Sequence, residues 1–421
     1  MSSRVFNRRI GVTIAAALVA FLAYSSVYAF RKPFTMATHN GAGYFGVSYQ
    51  SLLIIAQVVG YMLSKFFGIK MISELKSKGR FKAGLLLTGC AWLSLFFLAI
   101  VPPPFGLICL FVNGFMLGFM WGIIFSYLEG RRTTDLMGSV MAVSFIFAGG
   151  FTRSVAKWLM IEWGVSERWM PFMTGVIFAL PLILLLRLLE KIPPPDVADI
   201  RDRSARIPMD RSSRKRFLGS FGIGLGIVTI TYLFLTIMRD IRDNYMGNIW
   251  SELGYGNNIA IFSKTETLTS LVVLLIMAML VMIRRNMRAL SLVHFVIGGG
   301  LLLAGISSIL FVNDRMDGAL WMQLTGLGLY MGYIPFNCIF FERLIATFRV
   351  NGNAGFLIYF ADAFGYLGSV IVMLSKEIFR LDVNWSGFYA HGVVIGALVG
   401  LAGTVFSFLY FKRKYRIAKH S

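Results

Sequence analysis

Apolar runs of about twenty residues recur along the whole chain, separated by short polar connections that leave almost no room for a soluble domain. That length is what an α-helix needs to cross roughly 30 Å of hydrocarbon. Twelve runs are found, over residues 10–36, 47–68, 83–101, 105–128, 138–160, 169–189, 217–240, 259–283, 289–311, 318–341, 353–375 and 388–411. A backbone in lipid must satisfy its own N–H and C=O groups, so all twelve are predicted to be helices. The expected fold is an all-α membrane protein of twelve transmembrane helices. The first run continues through "YSSVYAFRKPF" without a small-residue cleavage site, so it is expected to be retained and not removed as a signal peptide.

Composition agrees with this reading. The 421 residues are 57% hydrophobic and 14% charged, far from the balance of a soluble domain. Cys90, Cys109 and Cys338 lie inside apolar runs with no metal-ligand or disulfide spacing and are expected to pack. The net charge of +21 would fit a nucleic-acid binder only if the cations shared one soluble face, and here they punctuate hydrophobic spans. Taken alternately, the connections divide into a cation-rich set, such as "SSRVFNRR", "RRNMR" and "KRKYRIAKHS", and a cation-poor set, such as "VPPPFG" and "NDRMDG". The positive-inside rule then puts both termini in the cytoplasm, and the compact loops point to a cell inner membrane.

The longest polar segment, 191–216, opens on three prolines and is rich in Lys and Arg. It divides the chain into a first six-helix bundle, 1–190, and a second, 217–421. Each half carries a similar passage, "LGFMWGIIFSYLEGRR" at 117–132 and "LGLYMGYIPFNCIFFERL" at 327–344, with a Gly pair four apart and a Glu leading into an Arg. Arg31 follows the last cation before its helix, Arg9, by 22 residues; Arg239 follows Arg216 by 23. Two related six-helix halves resemble the major facilitator superfamily. The motifs "YSSVYAFRKPF" and "TYLFLTIMRDIRDNY" resemble the organophosphate:phosphate antiporters, which take up glycerol-3-phosphate or hexose phosphates. That resemblance implies that Arg31, Lys32 and Arg239 grip the substrate phosphate in a central cavity. The chain departs from that family in several places, among them Asp240 and Asp243 beside the arginines of "MRDIRDNY". Between the second and third helices it reads "GIKMISELKSKGRFK", and its fifth helix has Arg153 where the family has a histidine. The segment "MRDIRDNY" also resembles the Arg-Asp-x-Lys-Asp stretch of ATP/ADP-type nucleotide translocases.

Each charged residue has a bland alternative. Arg31 and Lys32 snorkel to outer headgroups, or face a cavity where Pro33 breaks the helix. A charge kept at membrane depth costs on the order of 3 kcal/mol, so it must be paired or wet, and phosphate suits the fork of Arg and the compact charge of Lys. Arg239 binds substrate or pairs with Asp243 along its helix; Asp240 and Asp243 neutralise these arginines or carry protons. Arg153 and Lys157 share one face of the fifth helix. Asp362 holds a proton or balances an arginine. Tyr24, Tyr28 and Tyr359 hydrogen-bond a ligand or simply pack and anchor. Glu129 and Glu342 precede Arg131 and Arg343 as gate or hinge ion pairs. The glycine series 219–226 follows no strand, and "RVNGNAG" lacks the Gly-Lys-Ser/Thr ending, so neither is read as a phosphate loop.

These residues predict a secondary transporter exchanging a small phosphorylated organic anion by alternating access, with Asp362-coupled proton symport of a sugar or carboxylate as the alternative. No paired carboxylates, metal cluster or nucleophile constellation points to an enzyme. No cofactor or metal is expected. The expected partners are the anionic substrate and the bilayer, with no nucleic acid, and the chain is expected to act as a monomer.

Overall fold

A computed structural model describes residues 3–37, 43–44, 46–74, 79–128, 131, 133–194, 211–348, 350, 354–379 and 384–420. The helices are α1 (Ser3–Tyr28), α2 (Tyr49–Glu74), α3 (Arg80–Ile100), α4 (Gly106–Leu117), α5 (Met120–Leu128), α6 (Thr134–Glu162) and α7 (Met170–Glu190). They continue with α8 (Arg211–Asn244), α9 (Met246–Glu252), α10 (Ile259–Val281), α11 (Asn286–Val312), α12 (Gly318–Pro335), α13 (Phe341–Phe348), α14 (Ala354–Ile378) and α15 (Trp385–His420). Twelve helical spans are long and apolar enough to cross a membrane, and each overlaps one of the twelve apolar runs. The fourth span is α4 and α5, broken after Leu117, and the tenth is α12 and α13, joined by a π turn at Phe336–Phe340. Between the first two spans lies a small hairpin, Gly43–Tyr44 against Val47–Ser48, antiparallel with Tyr44 opposite Val47.

The first span ends earlier than the apolar pattern does. Hydrophobicity continues to Met36, but α1 stops at Tyr28 and a short 3-10 turn covers Pro33–Met36. Pro33 has no N–H to continue an α-helix and its fixed φ suits the first position of a new turn. The carbonyls freed by the break are taken by side chains. Asn113 Nδ2 donates to Phe30 O at 3.0 Å, and Gln57 Nε2 donates to Arg31 O at 3.0 Å and to Asn113 Oδ1 at 2.8 Å. Gly114 makes this possible: a Cβ there would lie 2.0 Å from the Gln57 carbonyl oxygen, so only glycine lets α4 come close enough to α2.

The chain separates into two compact units. The first comprises Met1–Arg203, Asn244–Ser270 and Val370–Asp382; the second comprises Ser204–Asp243, Leu271–Ser369 and Val383–Ser421. In the first unit, α1 packs against α5, α6 and α7, with Tyr24, Phe30, Met120, Met141, Leu182 and Leu186 at the centre. In the second, α11 lies between α12 and α15, and Trp321 stacks on Phe311 with ring centroids 3.9 Å apart while its indole N–H donates to Ser308 Oγ. The glycine series 219–226 lies inside α8, as its lack of a preceding strand implies. Cys90, Cys109 and Cys338 are partly buried and in no disulfide.

Candidate functional site

In the first unit, the helix break at Pro33 sets the geometry. Arg31 and Lys32 leave the helix axis and are buried, 6% and 2% exposed, so neither reaches outward to headgroups. The Arg31 guanidinium lies over the Tyr61 ring, 3.8 Å from its centroid, with the Tyr28 ring at 5.9 Å. Lys65, one turn after Tyr61 on α2, sits 4.7 Å from the same ring, so a single tyrosine is flanked by two cations. Lys32 Nζ donates to Asn244 Oδ1 at 2.8 Å.

The 3-10 turn gathers the next set of partners. Arg153, fully buried, donates from Nε to Thr35 Oγ1 at 3.2 Å and from Nη1 to Gly149 O at 2.8 Å. Gln50 donates to Thr35 O and exchanges two 3.2 Å amide hydrogen bonds with Asn248. Tyr245 donates to Ser51. Arg153, expected from sequence as the polar residue of the fifth span, is thereby joined to the turn that follows Arg31 and Lys32.

Four residues of this cluster escaped the sequence reading: Gln57, Tyr61, Lys65 and Glu266. Glu266 lies seven residues inside the span that starts at Ile259 and is 1% exposed, so the rule that singled out Asp362 applies equally to it. A Cβ at Gly150 would lie 2.2 Å from Phe262 O and 2.6 Å from Glu266 Cγ, which places the Glu266 side chain against α6 one turn before Arg153. The buried charges of this unit are therefore lopsided. Among the described residues, Arg31, Lys32, Lys65 and Arg153 are buried with one buried carboxylate, Glu266.

The second unit carries the opposite balance. Arg239 and Arg242 are buried with Asp240, Asp243 and Asp362. Arg239 pairs with the adjacent Asp240, Nη2 to Oδ1 at 2.6 Å; Asp243 is the structural alternative that i,i+4 spacing offers. The Tyr333 ring beneath the guanidinium, 4.4 Å away, holds it on that side of the helix, and Tyr366 lies at 5.9 Å. Arg239 Nε and Asp240 Oδ2 are buried and make no hydrogen bond among the described residues. Arg242 goes another way round α8, donating to Met322 O and filling the space over Gly326. Asp362 accepts a short hydrogen bond from the Tyr232 hydroxyl, which also accepts from Asn337 Nδ2 at 3.3 Å.

The remaining candidates lie elsewhere. Tyr359 is half-buried on α14, one turn before Asp362. Glu342 is half-buried on α13, and its neighbour Arg343 donates to Asn286 Oδ1 at 2.8 Å. Arg131 donates to Pro193 O, and Glu129 lies outside the described residues. Among the described residues no three His, Cys, Asp or Glu side chains converge as metal ligands would.

Twelve spans in two pseudo-symmetric six-helix bundles are the major facilitator fold. Two solved structures of that fold match the chain, one titled as a crystal structure of a D-xylose–proton symporter. It has a TM-score of 0.62 at 13% identity and covers 95% of this chain and 97% of its own. The other, a proton:xylose symporter of the major facilitator superfamily bound to 6-bromo-6-deoxy-D-glucose, has a TM-score of 0.67 at 13% identity, covering 95% of this chain and 96% of its own. At that identity the likeness establishes the fold alone. In sequence, residues 33–414 match the family described as a family of unknown function, DUF5690, and the chain belongs to it. No curated protein matches it.

Proposed function

We propose that this membrane protein is a secondary transporter that exchanges a small phosphorylated organic anion by alternating access. The supporting observation is the charge imbalance of the first unit, where Arg31, Lys32, Lys65 and Arg153 are buried with Glu266 as the one buried carboxylate among the described residues. Buried cations gathered in one unit offer charge-assisted donors to an anionic ligand. Phosphate matches the donors, since Arg31, held over the Tyr61 ring, offers a fork of N–H groups and Lys32 supplies a compact charge beside it. Arg239 is the second phosphate contact in this reading, by its sequence correspondence with Arg31. Neutralising the cations lowers the barrier to changing conformation, so loaded carrier turns over faster than empty carrier and exchange results. The transporter consists of bundles 1–190 and 217–421 joined by the basic segment 191–216, in an inner membrane with both termini cytoplasmic.

A second reading is favoured by the Tyr232–Asp362 hydrogen bond in the other unit: proton symport of a sugar or carboxylate, with Asp362 as the titrating group. One experiment separates the two. Thermal stabilisation of the purified protein is measured against glycerol 3-phosphate, glucose 6-phosphate, inorganic phosphate and their uncharged parents, with Arg31→Ala, Arg239→Ala and Asp362→Asn. Loss of one charge-assisted contact of about 1.5–3 kcal/mol weakens binding roughly 10- to 150-fold. Exchange predicts a shift for a phosphorylated compound that both arginine variants abolish and Asp362→Asn keeps. A shift for a neutral or carboxylate compound that survives both arginine variants refutes it and supports symport.

A further inference from the structure

A second anion site, separate from the buried clusters and independent of the transport reading, lies at the end of the second unit that carries the C-terminus. There the start of α11, the end of α13 and the tail of α15 enclose a cleft of about 630 Å³. Its polar lining is Arg285, Asn286, Arg288, Thr347, Tyr415 and Lys419, and Phe348 and Ala418 form part of its apolar wall. Among the described residues no acidic side chain lines it; Glu342, on the same helix as Thr347, is not part of its lining. Other cations of this end are already engaged: Arg343 donates to Asn286, Lys414 to Ser220 O, and Lys412 lies over the Phe408 ring. The side chains of Arg285, Arg288 and Lys419 have neither a hydrogen bond nor an ion pair among the described residues.

Three like charges around one concavity repel one another unless a counter-charge sits among them. The cleft is large enough for a phosphate ester, its guanidinium groups suit phosphate oxygens, and the uncapped first amides of α11 add donors at its rim. We infer that this cleft binds a phosphate-bearing anion, namely the headgroup of an anionic phospholipid. The lipid source is favoured because α11 and α15, which carry the cleft, expose Leu292, Phe295, Phe406 and Leu409 on their membrane-spanning parts, a surface along which acyl chains can lie.

The test uses the full-length purified protein and native mass spectrometry to count bound dioleoyl-phosphatidylglycerol against dioleoyl-phosphatidylcholine. The cleft variant is Arg285→Gln with Arg288→Gln and Lys419→Gln; a charge-matched control carries Arg284→Gln, Arg413→Gln and Arg416→Gln. All six side chains are exposed, so both variants should fold. Each cleft cation contributes on the order of 5-fold in affinity, so the cleft variant should bind phosphatidylglycerol roughly 100-fold more weakly, with the control near wild type. A parallel arm measures thermal shifts with inorganic phosphate and glycerol 3-phosphate. Binding of these soluble anions that the cleft variant loses, without selective lipid retention, keeps the phosphate site and assigns it to a free ester. Equal loss in both triple variants means diffuse charge attraction and overturns the site, as does full retention in the cleft variant.

Discussion

Tyr61 shows how one apolar-looking residue can organise a charged site. Its ring lies beneath Arg31 and near Lys65, so two cations are drawn to a single aromatic quadrupole inside the bundle. The ring holds the guanidinium in place, which limits the positions its N–H donors can take. The ring matters here more than the hydroxyl. Replacing Tyr61 by Leu removes about 0.5–2 kcal/mol of cation–π attraction, and affinity for the stabilising phosphorylated compound should fall roughly 2- to 30-fold in a ligand titration. Tyr61→Phe should stay within about twofold. A Phe variant as weak as the Leu variant would show that the hydroxyl, not the ring, carries the effect.

At the scale of elements, positions without a side chain decide which helices approach. Gly150 brings α6 against α10 so closely that an added methyl would meet a backbone carbonyl, which cannot move aside as a side-chain tip can. Gly150→Ala should therefore force the helices apart and cost about 1–3 kcal/mol, read as a lower thermal midpoint of the purified protein. Gly89 on α3 is the internal comparison, because nothing lies within 4 Å of its Cβ position. Gly89→Ala should leave the midpoint unchanged or raise it, as alanine favours helix over glycine by up to about 1 kcal/mol. If the two substitutions lower the midpoint equally, close packing at Gly150 is not what holds α6 and α10 together.

For the molecule as a whole, the charge of the connections is the strongest argument about orientation. A green-fluorescent reporter fused after Ser421 should fluoresce, and an alkaline phosphatase fused at Asn313, in the cation-poor connection between the ninth and tenth spans, should be active. The reverse pattern would turn the protein over and place the α11–α13–α15 cleft in the other leaflet. Two buried clusters with opposite charge balance also bear on function. The first unit gathers four buried cations and one buried carboxylate among the described residues, while the second pairs Arg239 with Asp240 and has Asp362 accepting from Tyr232. An anion exchanger and a proton symporter built on this fold would differ in which of the two clusters changes charge during the cycle.

The twelve spans were legible in the sequence because each is set by a local property, about twenty apolar residues in a row, that hydrocarbon demands whatever the neighbours are. Pro33 likewise announced a break beside Arg31 and Lys32, since its missing N–H is a property of the residue alone. What the sequence left open is what depends on partners far apart in the chain. The apolar pattern runs on to Met36, yet α1 ends at Tyr28 because Asn113 and Gln57, 83 and 26 residues away from the groups they serve, take the freed carbonyls. Tyr61 gave no signal as a cation platform, and Arg239 pairs with Asp240, not Asp243, because Tyr333 from a distant helix lies under it. Local hydrophobicity fixed where the helices are; only tertiary packing decided which buried charges meet, because that choice is made by side chains from different helices competing for the same donors.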